Sequence, residues 1–240
     1  MVDPRVNIIE QRLKRITRVI AVSSGKGGVG KSMVATTLAL SLVKRGFKVG
    51  LFDLDFTSPS THLILGIEGV QPKEEKGLVP PLVYGLEYMS LVYYSGNQAA
   101  PLRGTDTSNA LIELLAVTLW SELDYLVIDM PPGIGDAVLD LIRLVPRVEF
   151  LIVTTSSLLA FETVKKLSGL LRDLNVPILG VLENMKMTDT ADIKRQTELL
   201  DLKFIMEIPY DPEIEAAIGY PEKLLATSFA QKVNAVAQTV

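Results

Sequence analysis

Apolar and β-branched residues gather in short runs separated by longer stretches with helical spacing. RVIAVSS (18–24), KVGLFDLD (48–55), YLVIDM (125–130), EFLIVTT (149–155), PILGVLEN (177–184) and KFIMEIP (203–209) predict strands. Residues 31–45, 107–121, 136–145, 158–173 and 190–200 predict the helices between them. This alternation predicts an α/β fold, a doubly wound and mostly parallel sheet of about seven strands. Parallel strands covered on both faces read as unbroken apolar runs, as these do. Residues 68–92 break the rhythm. Gly77, Pro80, Pro81 and Gly85 punctuate that stretch, which predicts a hairpin or excursion rather than a second domain.

The first 17 residues follow another pattern. Val6, Ile9, Leu13 and Ile16 recur at helical spacing, with Arg5, Arg12, Lys14 and Arg15 between them. We expect residues 1–17 to form an amphipathic helix that packs on the domain or on a partner subunit. Its apolar side is short and lacks the aromatic anchors of a membrane-surface helix. Residues 18–240 are then expected to form one domain.

Composition narrows the function. Hydrophobic residues make up 48% of the 240, yet no apolar run is long enough to span a membrane. Asp3, Arg5 and Glu10 interrupt any secretory leader, so a cytoplasmic location is expected. A net charge of −4 gives no general attraction to nucleic acid. Cysteine is absent, which removes disulfides, thiolate catalysis and thiolate-held zinc or iron–sulfur clusters from the chain's own repertoire. His62, the one histidine, is expected at a surface or helix start rather than in catalysis, and Trp120 is expected to be buried.

The chemistry concentrates after the first strand. Gly25-Lys26-Gly27-Gly28-Val29-Gly30-Lys31-Ser32 has the spacing of a phosphate-binding loop and opens a predicted helix, with Met33 next in line. Glycines let successive backbone N–H groups converge on phosphate oxygens, and the helix N-terminus adds positive potential. Lys31 is expected to bridge the β- and γ-phosphates and Ser32 to ligate Mg²⁺. Asp53, Asp55 and Asp129 end strands and should converge there, because ligands in such sheets sit at the carboxyl edge. Asp129 is the expected holder of Mg²⁺ or its waters, Asp53 a support near the metal, and Asp55 the group that orients the attacking water. Gly133 and Gly135 give the following loop hinge freedom, and Asp136 either anchors that loop or caps the next helix. VLENMKM lacks the acid of a guanine-reading element, and Asn184 can bond an adenine edge, so ATP is expected over GTP.

With these motifs assembled, the chain resembles the deviant Walker A ATPases: MinD, ParA, the nitrogenase iron protein and, most closely, the Mrp-type iron–sulfur cluster carriers. The resemblance rests on RVIAVSSGKGGVGKS, DLDFTSPS, LRG (102–104), WSELDYLVIDMPPGIGDA, VLENM and EIPYDPEI, in that order. It implies a P-loop NTPase fold of the nitrogenase iron protein and MinD type. It also implies a homodimer formed on ATP binding, in which Lys26 reaches the partner's phosphates. By the same resemblance Asn184 contacts the base, and Pro209 with Asp211 line its other side. Two departures stand out. Carriers place a Cys-x-x-Cys pair shortly after ENM, where this chain has ENMKMTDTADIKRQ, and their TTPQ is here TTSS (154–157). The expected activity is therefore a slow Mg-ATP switch without a cluster site of its own, working with a cysteine-bearing iron–sulfur assembly partner.

The alternative is a MinD- or ParA-like positioning ATPase acting at membrane or DNA, with a small-molecule kinase or dethiobiotin-synthetase-like ligase more remote. Against the alternative, the C-terminal SFAQKVNAVAQTV carries only Lys232 for charge, and residues 212–240 are not basic.

Overall fold

The structure is a computed structural model that describes residues 3–95, 105–187 and 192–240. In chain order the elements are α1 (Arg5–Leu13), β1 (Ile16–Ser23), α2 (Lys31–Lys44), β2 (Val49–Asp53), α3 (Thr61–Leu65), β3 (Lys73–Glu74), β4 (Leu78–Val79), β5 (Leu82–Val83) and β6 (Leu86–Ser90). There follow α4 (Val92–Ser95), α5 (Thr105–Val117), β7 (Leu123–Asp129), α6 (Asp136–Leu144), β8 (Val148–Thr154), α7 (Leu158–Asp173), β9 (Ile178–Lys186), α8 (Ile193–Leu199), β10 (Phe204–Pro209), α9 (Glu213–Ala217), α10 (Pro221–Ala226) and α11 (Ser228–Val236).

Eight strands form the main sheet in the order β10-β9-β8-β1-β7-β2-β6-β5, and only β5 runs antiparallel to its neighbour. Side chains along β1 alternate between two cores. Val19 and Ala21 face one with α1, α5, α6 and α7, while Ile20 and Val22 face the other with α2 and α11. Burial on both sides is what lets these strands dispense with polar positions. The chain leaves β1 toward β2 on one side and later crosses to β8, β9 and β10 on the other. The phosphate loop follows β1, at the strand where the winding reverses, which is where ligand crevices open in such sheets.

Three expectations need correction. The stretch 68–92 holds the expected hairpin, as β3–β4 and again as β5–β6, but it does not all stand outside the main sheet. Its β3–β4 ribbon stands apart, but β6 joins the main sheet parallel to β2, raising the count from about seven strands to eight. Pro80, Pro81 and the left-handed Tyr84 and Gly85 crowd the approach to that strand with turn signals and so hid it. The N-terminal helix ends at Leu13, and Ile16 already pairs with Leu123 in β1. Helix α5 stops at Val117 rather than 121, because Leu119 N–H donates to Leu78 O (2.8 Å) and bonds the chain to β4.

Helix α1 lies on α5, with Ile9 fully buried and Arg5 paired to both Asp3 and Glu113. Trp120 is buried edge-on against Phe52. Among the described residues no helix is long and apolar enough to cross a membrane.

Candidate functional site

The register of the central strands sets the charged floor of the site. Asp53 at the end of β2 lies directly opposite Asp129 at the end of β7. Two carboxylates side by side in a dry sheet raise each other's proton affinity. Burial chiefly, with the Asp129 charge second, pushes the Asp53 carboxyl up to about 7. Burial also raises Asp129, and Lys31 opposes it: Lys31 Nζ sits 2.5 Å from Asp129 Oδ1, and both residues are buried. The same ammonium lies 3.3 Å from Ser32 Oγ. Asp129 Oδ2 is buried and has no hydrogen-bond partner among the described residues.

Above this floor opens a cavity of about 600 Å³. Gly27, Gly28, Val29, Gly30, Lys31, Ser32 and Met33 form its base. Gly30 is left-handed (φ 78°), and a Cβ there would stand 2.4 Å from Asn184 Nδ2. Glycine is required on both counts. Asn184 Nδ2 donates to Val29 O (3.0 Å), which latches the end of β9 to the phosphate loop and leaves the amide oxygen as that side chain's acceptor. Pro209 and Asp211 line the far wall with Tyr210, Ile214, Ile218 and Phe229. Burial works against ionisation of Asp211, but N–H and O–H donors from Ser228, Glu213 and Phe229 outweigh it and hold the carboxyl below the usual range.

Asp55 faces the cavity from the loop after β2. Its Oδ1 accepts from Thr57 Oγ1 (2.8 Å), Thr57 N–H (3.3 Å) and Ser58 N–H (3.1 Å), and its Oδ2 takes no hydrogen bond from any described residue.

Several expected site residues sit elsewhere. Asp53 does not line the cavity: its Oδ1 accepts the Asp55 N–H (3.0 Å), and its Oδ2 accepts from Thr61 Oγ1 (2.6 Å) and Thr61 N–H (3.2 Å). With both oxygens engaged it forms a clasp on the Asp55 loop. Asp129 lies under the cavity rather than on its wall. Gly25 faces α7, where a Cβ would overlap Thr163 at 2.1 Å, so its glycine serves close packing. Lys26 is exposed on the outer bend and has no ionic partner among the described residues.

The loop after β7 touches the site through Pro132, and Gly133 N–H is bound to Ser24 O (2.9 Å). Asp136 is the first residue of α6 and Gly135 its cap, so the acid stabilises the helix through the dipole. His62 sits in α3, away from the cavity, with its pKa lowered by burial. In TTSS, Ser156 Oγ donates to buried Glu183 Oε1 (2.7 Å), and Ser157 accepts from Ala160 N–H (3.4 Å) as the α7 cap. LRG (102–104) and much of the segment that replaces the Cys-x-x-Cys pair lie outside the described residues.

Sequence reasoning missed the apolar base-side wall and the hydroxyl groups around Asp53. Ile214, Ile218 and Phe229 look like ordinary core positions in a sequence. Thr61 lies eight residues from Asp53, with no motif to join them.

The family described as ParA, NUBPL iron-transfer P-loop NTPase, matches residues 15–240. The chain belongs to that family. It is 44% identical over 177 residues to an iron–sulfur cluster carrier protein of Pseudomonas fragi, a match covering 72% of this chain and 62% of that protein. It is 34% identical over 254 residues to the carrier of Aquifex aeolicus, covering 96% and 70%. The chain therefore spans less than two thirds of the Pseudomonas relative. Among solved structures, a nucleotide-binding protein in complex with ADP from Archaeoglobus fulgidus has a TM-score of 0.81 and 30% identity, covering 94% of this chain and 95% of that one. The cell division ATPase MinD of Pyrococcus furiosus has a TM-score of 0.70 at 21% identity, covering 93% and 98%. That second likeness shows the shared fold alone.

Proposed function

We propose that this NUBPL-family chain binds and hydrolyses Mg-ATP as a dimeric switch, and that it serves iron–sulfur cluster assembly with a cysteine-bearing partner. The observation that carries the reading is the buried Lys31–Asp129 pair under a glycine-lined cavity whose opposite rim presents Asp55. An incoming polyphosphate offers Lys31 a stronger counter-charge than one carboxylate, so nucleotide binding releases Asp129. Backbone N–H groups of residues 27–31 and the start of α2 hold the phosphates. Asn184 Oδ1, left as an acceptor, fits the exocyclic amine of adenine. Asp55 lines the cavity, and its Oδ2, which takes no hydrogen bond from any described residue, takes the water that attacks the γ-phosphate.

Mg²⁺ fits the donor set. Asp129 Oδ2 is a buried carboxylate oxygen with no geometric hydrogen-bond partner among the described residues, Ser32 acts on the same carboxyl, and such oxygen donors suit this ion together with substrate phosphates. Ser32 and Asp129 would hold it, and when bound it would offset charge on the phosphate oxygens.

Lys26, exposed and without an ionic partner among the described residues, is free to enter a second copy's cavity and supply charge in trans. The carriers that this chain resembles are named for a cluster cargo, and this chain brings no cysteine to hold one. Its part is then the nucleotide-driven step, with the thiolates on a partner. A membrane-positioning role gains nothing from α11, because its Phe229, Val233 and Val236 are buried in the core with α2.

Titration calorimetry with Mg-ATP, followed by phosphate release and sizing with and without ATP, tests this reading. Saturable heat, turnover and an ATP-dependent doubling of mass are expected, and absence of heat with folded protein refutes it.

A further inference from the structure

We infer that Thr61 is a positioning residue for Asp55, acting through Asp53 and backed by Tyr88. The inference rests on the hydrolytic reading of the site. Asp55 stands in a loop, residues 54–60, that leaves the sheet at β2 and returns as α3. Pro59 fixes one backbone angle within it but does not tie its two ends together. Asp53 closes it instead. One carboxylate oxygen holds the N–H of Asp55 at the loop's start, and the other holds the N–H and hydroxyl of Thr61 at its end. A single buried side chain thus ties both ends of the loop.

The hydroxyl of Thr61 has one proton. When Asp53 is ionised, the 2.6 Å contact with its oxygen assigns that proton to Asp53. Tyr88 OH, 2.9 Å from Thr61 Oγ1, must then donate to Thr61. Tyr88 is fully buried in β6, the strand next to β2, so the chain of donors runs from the neighbouring strand through α3 into the clasp. A second tether acts on the same short helix: Gly219 N–H donates to Ile64 O (3.1 Å), and Gly66 approaches Gly219 so closely that a Cβ would lie 2.4 Å from its carbonyl oxygen. Within the loop, Asp55 uses Oδ1 to gather Thr57 and Ser58, its Oδ2 takes no hydrogen bond from any described residue, and the residue lines the cavity. The setting of the loop that carries Asp55 is therefore inherited, link by link, from Tyr88 through Thr61 and Asp53. Neither Thr61 nor Tyr88 lines the cavity, so neither contacts nucleotide.

Thr61→Val keeps the shape and removes the donor; Thr61→Ser restores it. A hydrogen bond to a charged group is worth enough that the Val variant should lose about tenfold in kcat. KM for ATP and calorimetric affinity for ADP should stay within about twofold of the parent, because no nucleotide contact is touched. Thr61→Ser should recover most of the lost turnover. Amide hydrogen exchange gives a readout that needs no hydrolysis: peptides covering residues 54–60 should exchange faster in Thr61→Val, while those covering residues 25–33 should not.

A parent protein without turnover would refute the hydrolytic reading, whereas the exchange result would still decide whether Thr61 holds the loop. Parent-like turnover and exchange in a folded Thr61→Val, a loss of ADP affinity parallel to the loss of kcat, or no recovery in folded Thr61→Ser would each overturn the inference. Should Thr61→Val not fold, Tyr88→Phe removes only the donor behind Thr61. It should lower kcat in the same direction with KM unchanged, and parent-like kcat there would overturn the inference equally.

Discussion

The Lys31–Asp129 pair allows a quantitative test. Lys31 is 6% exposed and Asp129 0%, and they meet at 2.5 Å. Removing one member of a buried pair leaves a charge with no partner and costs about 3–5 kcal/mol, whereas replacing both by apolar groups is often nearly neutral. Lys31→Met should sit at the high end, because Asp129 Oδ2 already has no partner among the described residues and the carboxyl can escape only by taking up a proton. Asp129→Leu should sit at the low end, since Lys31 borders the cavity and can turn into it. For a chain of this size each kcal/mol moves Tm by roughly 2–4 °C, so the single variants should melt roughly 6–20 °C below the parent. The double variant should fall within about 2 kcal/mol of the parent, giving a coupling energy of several kcal/mol where unrelated sites add to about 0.5. The assay is urea and thermal unfolding of all four proteins without nucleotide. Additive single effects would show that the pair is not formed in the free protein, and the proposed hand-over of Lys31 from Asp129 to phosphate would fall with it.

Three further outcomes are expected. Lys26→Ala should bind ATP with parent affinity but lose at least tenfold in turnover together with ATP-dependent dimerisation, by the logic of a charge supplied in trans; parent-like turnover counts against that role. Asp55→Asn keeps an acceptor for Thr57 and Ser58 yet removes the carboxylate, so Mg-ATP affinity should hold while kcat drops about 10²–10⁴-fold, as for loss of a general base. In a pH series of denaturant melts, Asp53 carries a folded value of about 7 against an ordinary 3.8, so the folded chain keeps a proton that the unfolded chain has released. The stability it contributes is complete below 3.8 and is lost as pH rises through about 7, and Asp53→Asn should flatten that slope. Parallel slopes for parent and variant would remove the assignment.

The sequence by itself determined what depends on neighbours along the chain. β-Branched runs named the central parallel strands, because burial on both faces leaves no room for polar alternation. The phosphate loop was legible because its glycines, lysine and serine act within eight consecutive residues, on backbone N–H groups that the same residues supply. Tertiary structure decided what depends on register and on distant partners. Asp53 read as a metal support from its place in DLD, and only the approach of Thr61 and Tyr88 showed its oxygens engaged. Gly25 read as part of the phosphate cradle, and only α7 behind it showed the space taken by Thr163. Strand β6 was hidden among prolines and glycines, because five residues between turns carry too little period to declare themselves. Pairing of Lys31 with Asp129 joins residues 98 apart in sequence, which two parallel strands bring into hydrogen-bond contact and no local pattern records.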